Sequence, residues 1–376
     1  MRRILIVTGE ASGDLHGANL ARALKALDPH VSLAGIGGAA MQAAGVQLVR
    51  DLGELDIIGM VGPAALVSVV RRFRSMRRLF RSERWDAVVF IDHPGLNLRY
   101  AYFAKAAGLR VIYYIAPQIW AWRPGRIHWI KRRVDHVIVI LPFEKAIYDR
   151  AGIPCTFVGH PLLDAVAPQY DGIGLRKGWG LDAAGPVVAL LPGSRSTEVK
   201  ALLPILLGAA ERLARRDRKT QFLLAQASTI QDNLLESLLR ESPVPVTVVK
   251  EQAGEVMAAS DLVLVASGTA TLQAAVVGTP MVLLYRTTWF TYWLAWLLIR
   301  VKWIGLVNLV ADRTVVTELI QSDATAQRLY EEAVRMLDNP AVYEDMKRSL
   351  RQVKAALGGP GASTRAAEVV LAACRT

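Results

Sequence analysis

The segment Gly9-Glu10-Ala11-Ser12-Gly13-Asp14-Leu15-His16-Gly17 holds more chemistry than a turn requires. Two carboxylates, a hydroxyl and an imidazole lie between Glu10 and His16. Four apolar residues, Ile4 to Val7, precede it, and a helical stretch from Ala18 to Leu27 follows. A strand that ends in glycines and opens a helix is how α/β proteins build a site at the carboxyl edge of a sheet. The loop has neither the G-x-G-x-x-G nor the G-K-[ST] spacing, which argues against a dinucleotide cradle and a P-loop.

Three further segments carry candidate chemistry. Asp92 follows the apolar run Ala87–Ile91, where a carboxylate could act as general base or cap the turn before Pro94. Ser194 and Arg195 follow Leu191-Pro192-Gly193; the guanidinium fork suits a phosphate, and a solvent-facing arginine at a helix start is the plain alternative. Ser267-Gly268-Thr269-Ala270-Thr271 opens an apolar helix, so its free N–H groups and the helix dipole favour an anion. Either loop alone is weak. Two of them in one half of the chain make a nucleotide diphosphate the leading ligand. The six histidines have no zinc spacing, so no metal is expected.

The elements needed to position these residues are legible as alternating short apolar runs and helical patterns. Strands are expected at Ile4–Val7, Ala87–Ile91, Val111–Ile115, His136–Leu141 and Thr156–Val158. After a glycine-rich linker the alternation restarts at Val187–Leu191, Gln221–Ala225, Val246–Val249, Leu262–Val265 and Met281–Tyr285. The pattern predicts an α/β protein with two Rossmann-like domains and a cleft between them. The expected bounds are an acceptor domain over 1–165, a linker over 166–186, a second domain over 187–345, and a helical tail over 346–376 packing back towards the first domain.

Hydrophobic content of 52% excludes disorder over most of the chain. Two cysteines cannot build a disulfide framework, which favours the reducing cytoplasm, and the short apolar run after Arg3 does not make a signal peptide. A net charge of +12 suits anionic lipid, phosphorylated substrates or nucleic acid. Leu66, Val69, Val70, Phe73, Met76 and Phe80 follow helical spacing, interleaved with six arginines from Arg71 to Arg81. Such a helix fits an anionic membrane surface; an ordinary core stripe is the alternative. Trp289, Trp293 and Trp296 share a second helical face in an uncharged run too short to cross a bilayer. That run could lie on a membrane or form an aromatic core.

Together these motifs resemble the lipid A disaccharide synthase family, inverting glycosyltransferases of the GT-B class. Besides the segments above, the resemblance rests on Gly35-Ile36-Gly37-Gly38, Gln118-Ile119-Trp120-Ala121-Trp122-Arg123, Phe157-Val158-Gly159-His160-Pro161-Leu162 and Asn308-Leu309, in the family's order along nearly the whole chain. It implies transfer of 2,3-diacylglucosamine from its UDP derivative to the 6-hydroxyl of 2,3-diacylglucosamine 1-phosphate, giving a β-1,6-linked disaccharide and UDP, with no cofactor. It also implies roles. Asp92 would be the base, with Glu10 and His16 beside it. Gly13, Asp14, Gln118 and Trp120 would lie on the acceptor side. Ser194, Arg195, Ser267, Gly268, Thr269, Thr271, Gln273 and Asn308 would hold the UDP-sugar. The acylated substrates would give the two apolar stretches a purpose, docking on the cytoplasmic face of the inner membrane. A homodimer is compatible with this reading.

The chain departs from the family pattern at three places. Gln273 stands where Glu is expected, Gly62 follows Gly59-Met60-Val61 in place of Glu, and Asp92 is followed by His93-Pro94-Gly95 in place of Ala-Pro-Asp. Another GT-B transferase or a UDP-sugar epimerase is the competing enzyme, weighed against by the Asp92 and Trp120 segments. A nucleic-acid-binding protein satisfies the charge alone, without a recognition module.

Overall fold

The computed structural model describes residues 1–376 except 50–62, 168, 183–184, 290–292, 294–300 and 375–376, and leaves out the side chains of 11 and 63–69. The chain divides into two compact units, Met1–Pro161 with Gly358–Thr376, and Leu162–Leu357.

The first unit is built on seven strands: β1 (Arg3–Val7), β2 (Ser32–Ile36), β3 (Gln47–Leu48), β4 (Ala87–Ile91), β5 (Val111–Tyr114), β6 (His136–Val139) and β7 (Cys155–Phe157). All pair in parallel, in the order β3-β2-β1-β4-β5-β6-β7. Strand order reverses between β1 and β4, and ligands of open α/β sheets bind at such a switch point. The helices are α1 (Ala11–Leu27), α2 (Ala39–Ala43), α3 (Pro63–Ser82), α4 (Pro94–Ala106), α5 (Arg126–Arg133) and α6 (Pro142–Arg150). Alternation along β1 sends Leu5 and Val7 into a core shared with α3, α4, α5 and α6. Ile4 and Ile6 enter the opposite core, with α1 and the helix Ala362–Ala373. Strands covered on both faces are near-continuous apolar runs, which is why β1 and β4 stand out in sequence.

The second unit repeats the plan with β8 (Val187–Leu191), β9 (Gln221–Gln226), β10 (Thr247–Lys250), β11 (Leu262–Ala266), β12 (Met281–Tyr285) and β13 (Glu318–Ile320), in the order β10-β9-β8-β11-β12-β13. Its switch point falls between β8 and β11. Its helices begin with α7 (Leu162–Ala165), α8 (Gly172–Gly178), α9 (Ser196–Arg216), α10 (Asp232–Leu239), α11 (Ala253–Ala258) and α12 (Thr269–Val277).

Several expectations change. The stretch expected as linker contains α8, capped by Asp171, whose carboxylate accepts from the Gly174 N–H at 2.9 Å. Arg176 ties α8 to the second unit through the Ala259 carbonyl at 2.6 Å and Asp261 at 2.9 Å. The helix Pro340–Ala356 belongs to the second unit, and only the chain from Gly358 joins the first. Of the four described side chains in the expected membrane stripe of α3, three belong to the core. Met76 and Phe80 are 1% and 2% exposed, and the Phe73 ring packs 5.1 Å from Tyr100 and 5.9 Å from Phe103. Those three side chains face the sheet because the helix must cover it; Val70 is exposed. The side chains of Leu66 and Val69, and Trp296 entirely, lie outside the described residues.

Candidate functional site

At the switch point of the first unit the β1–α1 loop faces the β4–α4 turn. Both Asp92 and His93 have left-handed backbones, with φ of 48° and 46°. Such non-glycine conformations cost about 1–3 kcal/mol each and need surrounding structure to hold them. The Tyr113 hydroxyl donates to the Asp92 carbonyl at 2.6 Å, and the Asn97 amide donates to the carbonyls of Asp92 and Ile91 at 2.8 and 3.0 Å. The turn is therefore locked from β5 and α4. Burial raises the Asp92 carboxyl above its usual range, the His93 N–H partly opposes this, and the Glu10 charge adds to it. Asp92 is thus a better proton acceptor than a solvated aspartate, as a general base needs to be.

The other groups of the opening loop separate into two kinds. Glu10 is exposed at the start of α1 and makes no capping bond. His16 is half-buried and His160 is buried. Burial lowers both imidazoles, His160 to about 4, with a further effect of the His16 charge. The Asp14 carboxylate accepts from the N–H groups of Gly38, Ala40 and Met41 at 2.7, 3.0 and 3.1 Å, fixing the start of α2. Gly13 is also a packing residue, because a Cβ there would lie 3.2 Å from Thr8 Cβ. From β5, Gln118 is exposed, while the Trp120 indole donates to Glu144 at 3.0 Å and its ring meets Phe143 edge-on at 5.0 Å.

Glu144 went unnoticed in the sequence. It is 2% exposed, and its second oxygen accepts from the Leu141 N–H at 3.1 Å. Burial pushes its carboxyl up to about 7. Pro142-Phe143-Glu144 shows in sequence only as a helix start, so nothing there announces a buried acid.

At the switch point of the second unit a cavity of about 500 Å³ is lined by Gly193, Ser194, Glu198, Ser267, Gly268 and Thr269, with Gln226 and Glu251 at the ends of β9 and β10. Gly193 (φ 110°) and Gly268 (φ 152°) adopt conformations closed to other residues, and no atom lies within 4 Å of where a Gly268 Cβ would stand. The backbone can approach a ligand there, at the start of α12. Arg195 is highly exposed and, among the described residues, tied only to Glu198 at 3.0 Å, an exposed pair of little strength. Its guanidinium can swing to an anion.

Two expected donor contacts have other partners. The Thr271 hydroxyl is buried and donates to the Gly268 carbonyl at 2.8 Å. Asn308 is 0% exposed; its amide donates to the Val316 carbonyl and to Glu318, each at 2.8 Å, and its oxygen accepts from the N–H groups of Val315 and Val316. Every hydrogen-bonding atom of that side chain is engaged in holding the chain before β13. Gln273 is half-buried, its amide nitrogen 3.3 Å from where a Gly254 Cβ would stand.

Two Rossmann-like units with loop-built sites at both switch points define the GT-B architecture. Solved structures share it: the UDP-GlcNAc 2-epimerase of Neisseria meningitidis bound to UDP-GlcNAc (TM-score 0.65, 13% identity, 98% of this chain and 100% of that one) and MurG of Acinetobacter baumannii (TM-score 0.63, 16% identity, 99% and 100%). The family model for lipid-A-disaccharide synthetase matches residues 4–372. The lipid-A-disaccharide synthase of Geobacter sulfurreducens is 44% identical over 370 residues, covering 98% of this chain and 96% of its own, and that of Myxococcus xanthus is 40% identical over 370 residues, covering 98% and 97%. The chain belongs to the lipid-A-disaccharide synthase family and has that activity, as a glycosyltransferase using UDP-diacylglucosamine.

Proposed function

We propose that Asp92 activates the acceptor sugar and that the second unit holds the UDP end of the donor. The Asp92 carboxylate takes the proton of the acceptor 6-hydroxyl. The oxygen's electron pair forms the bond to the donor's anomeric carbon, the bond from that carbon to the diphosphate oxygen breaks, and UDP leaves with its pair. Attack opposite the leaving group inverts the centre. The N–H groups at the start of α12 and the Arg195 guanidinium offset charge growing on the diphosphate. The observation that carries this reading is the half-buried Asp92 carboxylate, raised in basicity on a locked turn at a switch point. Asp92→Asn, assayed with UDP-diacylglucosamine and the monosaccharide 1-phosphate, should lose roughly 10²–10⁴-fold in kcat while still binding UDP-sugar. Full activity in that variant removes the base assignment and makes His16 the next candidate.

The proposed partner surface is anionic lipid. Among the described residues no helix is long and apolar enough to cross a membrane. What supports docking is charge. Helices α3, α4 and α5 lie side by side over one face of the first sheet. They carry six, two and four Lys or Arg and no Asp or Glu, which equals the whole formal +12; elsewhere the two signs balance. Of these cations only Lys105 has an ion pair among the described residues. Exposed Trp122 and Trp129 carry stacked guanidinium groups from Arg126 at 4.6 Å and Arg133 at 4.7 Å, and Tyr102 is exposed beside them. Tryptophan with cations suits an anionic interface. In the second unit Trp289 and Trp293 are 60% and 63% exposed. Co-sedimentation with phosphatidylglycerol-containing vesicles should fall when Trp122 and Trp129 become Ala, and should weaken with salt. Undiminished binding removes this face from the account.

A further inference from the structure

The mechanism above leaves His93 unused, although the fold is arranged around it. Its backbone is left-handed at φ 46° and ψ 62°, directly after a left-handed Asp92. The ring is laid against the β1–α1 loop. A Cβ at Gly9 would lie 2.6 Å from His93 Cγ and 2.8 Å from His93 Cβ, so a glycine is required opposite it. The two loops of the switch point therefore meet through this imidazole.

The ring's two nitrogens differ. Nδ1 is enclosed and has no hydrogen-bond partner. No hydrogen bond to Nε2 is found among the described residues either, but Nε2 is not enclosed in this way. The neutral ring is better served with its proton on Nε2, where a ligand can accept it; the tautomer follows from the surroundings of each nitrogen. An orphaned buried polar atom in a native fold calls for a reason, and a fixed tautomer supplies one.

We propose that His93 offers its Nε2–H as a donor to the acceptor substrate, hydrogen-bonding an oxygen of the sugar or of its acyl group and orienting the 6-hydroxyl towards Asp92. No proton is transferred by His93 in this role. The inference rests on the reading of Asp92 as the acceptor-side base.

Steady-state kinetics with each substrate varied in turn test it. His93→Ala should lower kcat/KM for the acceptor about 5- to 10-fold, the usual worth of one neutral hydrogen bond, and leave the KM of the UDP-sugar unchanged. His93→Gln, which keeps an N–H donor, should recover part of the loss. Because His93 transfers no proton in this role, the acid limb of the wild-type profile of kcat/KM against pH should persist in His93→Ala. Unchanged acceptor kinetics, an equal effect on both substrates, or loss of that limb overturns the proposal. The ring's position is checked separately. Gly9→Ala should impair the enzyme in the wild-type background and add nothing in the His93→Ala background; an equal effect in both also overturns the proposal. Asp92→Asn assayed in parallel keeps the two readings apart: full activity there removes the base, whereas an acceptor-specific effect at His93 would still stand.

Discussion

Replacing Glu144 with Gln removes a charge that the fold buries without a cationic partner. The carboxyl is raised from 4.5 to about 7, first by burial, against the opposing hydrogen bonds from Trp120 and from the backbone at Leu141 and Ile140. At about 1.4 kcal/mol per tenfold change, that displacement corresponds to roughly 3 kcal/mol. The sign follows from proton counts. Below pH 4.5 both folded and unfolded chains hold the proton, and the site carries no penalty. Between 4.5 and 7 the unfolded chain releases it first, so the folded state binds more protons and stability falls as pH rises. Above 7 the full penalty applies. Glutamine never ionises, so this pH-dependent loss disappears. It brings its own defect, since the Trp120 indole and the Leu141 N–H donate to different oxygens of Glu144 and one of them would face the amide NH2, but that defect is the same at every pH. The measurement is therefore the difference between pH 8 and pH 4.5. Over the roughly 180 residues of the first unit, 3 kcal/mol corresponds to about 8 °C in its melting temperature. Melting followed by circular dichroism at both pH values should show Glu144→Gln gaining about that much on wild type as pH rises. Parallel curves within about 2 °C refute the argument that Glu144 is buried as a costly charge.

Asp14→Ala leaves three N–H groups at α2 without an acceptor and should lower stability by about 2–3 kcal/mol, measured by denaturant unfolding; an unchanged midpoint with lost acceptor affinity would return Asp14 to the substrate. Arg195→Ala should change stability by no more than about 0.5 kcal/mol, because its pair with Glu198 is exposed, and raise the KM of the UDP-sugar. Met76→Ser should destabilise the first unit by about 2–4 kcal/mol, seen in its melt, without weakening vesicle binding of the folded enzyme.

The parts of this molecule legible in its sequence are those where one physical demand dominates. A strand buried on both faces must be apolar throughout, so β4 and β11 declared themselves, and the polar residues at their carboxyl ends came with them. Strand β2 did not, because Ser-Leu-Ala-Gly-Ile is too short in large residues; its Gly35 is demanded by β1, where a Cβ would stand 2.6 Å from the Ile6 carbonyl oxygen. Helix α3 misled for a related reason. Covering a sheet and lying on a membrane both require an apolar stripe at helical spacing, and only the packing of Phe73, Met76 and Phe80 distinguishes them. Polar residues are harder still. Asp14 and Asn308 sit in motif segments and look like ligand groups, yet each completes backbone hydrogen bonds elsewhere in the chain. Those partners, from Gly38 in one case and Val316 in the other, are set by tertiary placement, which no local spacing encodes. A polar residue in a motif can thus be kept for the loop it holds as readily as for the ligand it meets. At the first unit's switch point the distinction falls within one turn: the main chain of Asp92 is held by Tyr113 and Asn97, while its carboxylate is the group proposed to take the acceptor's proton.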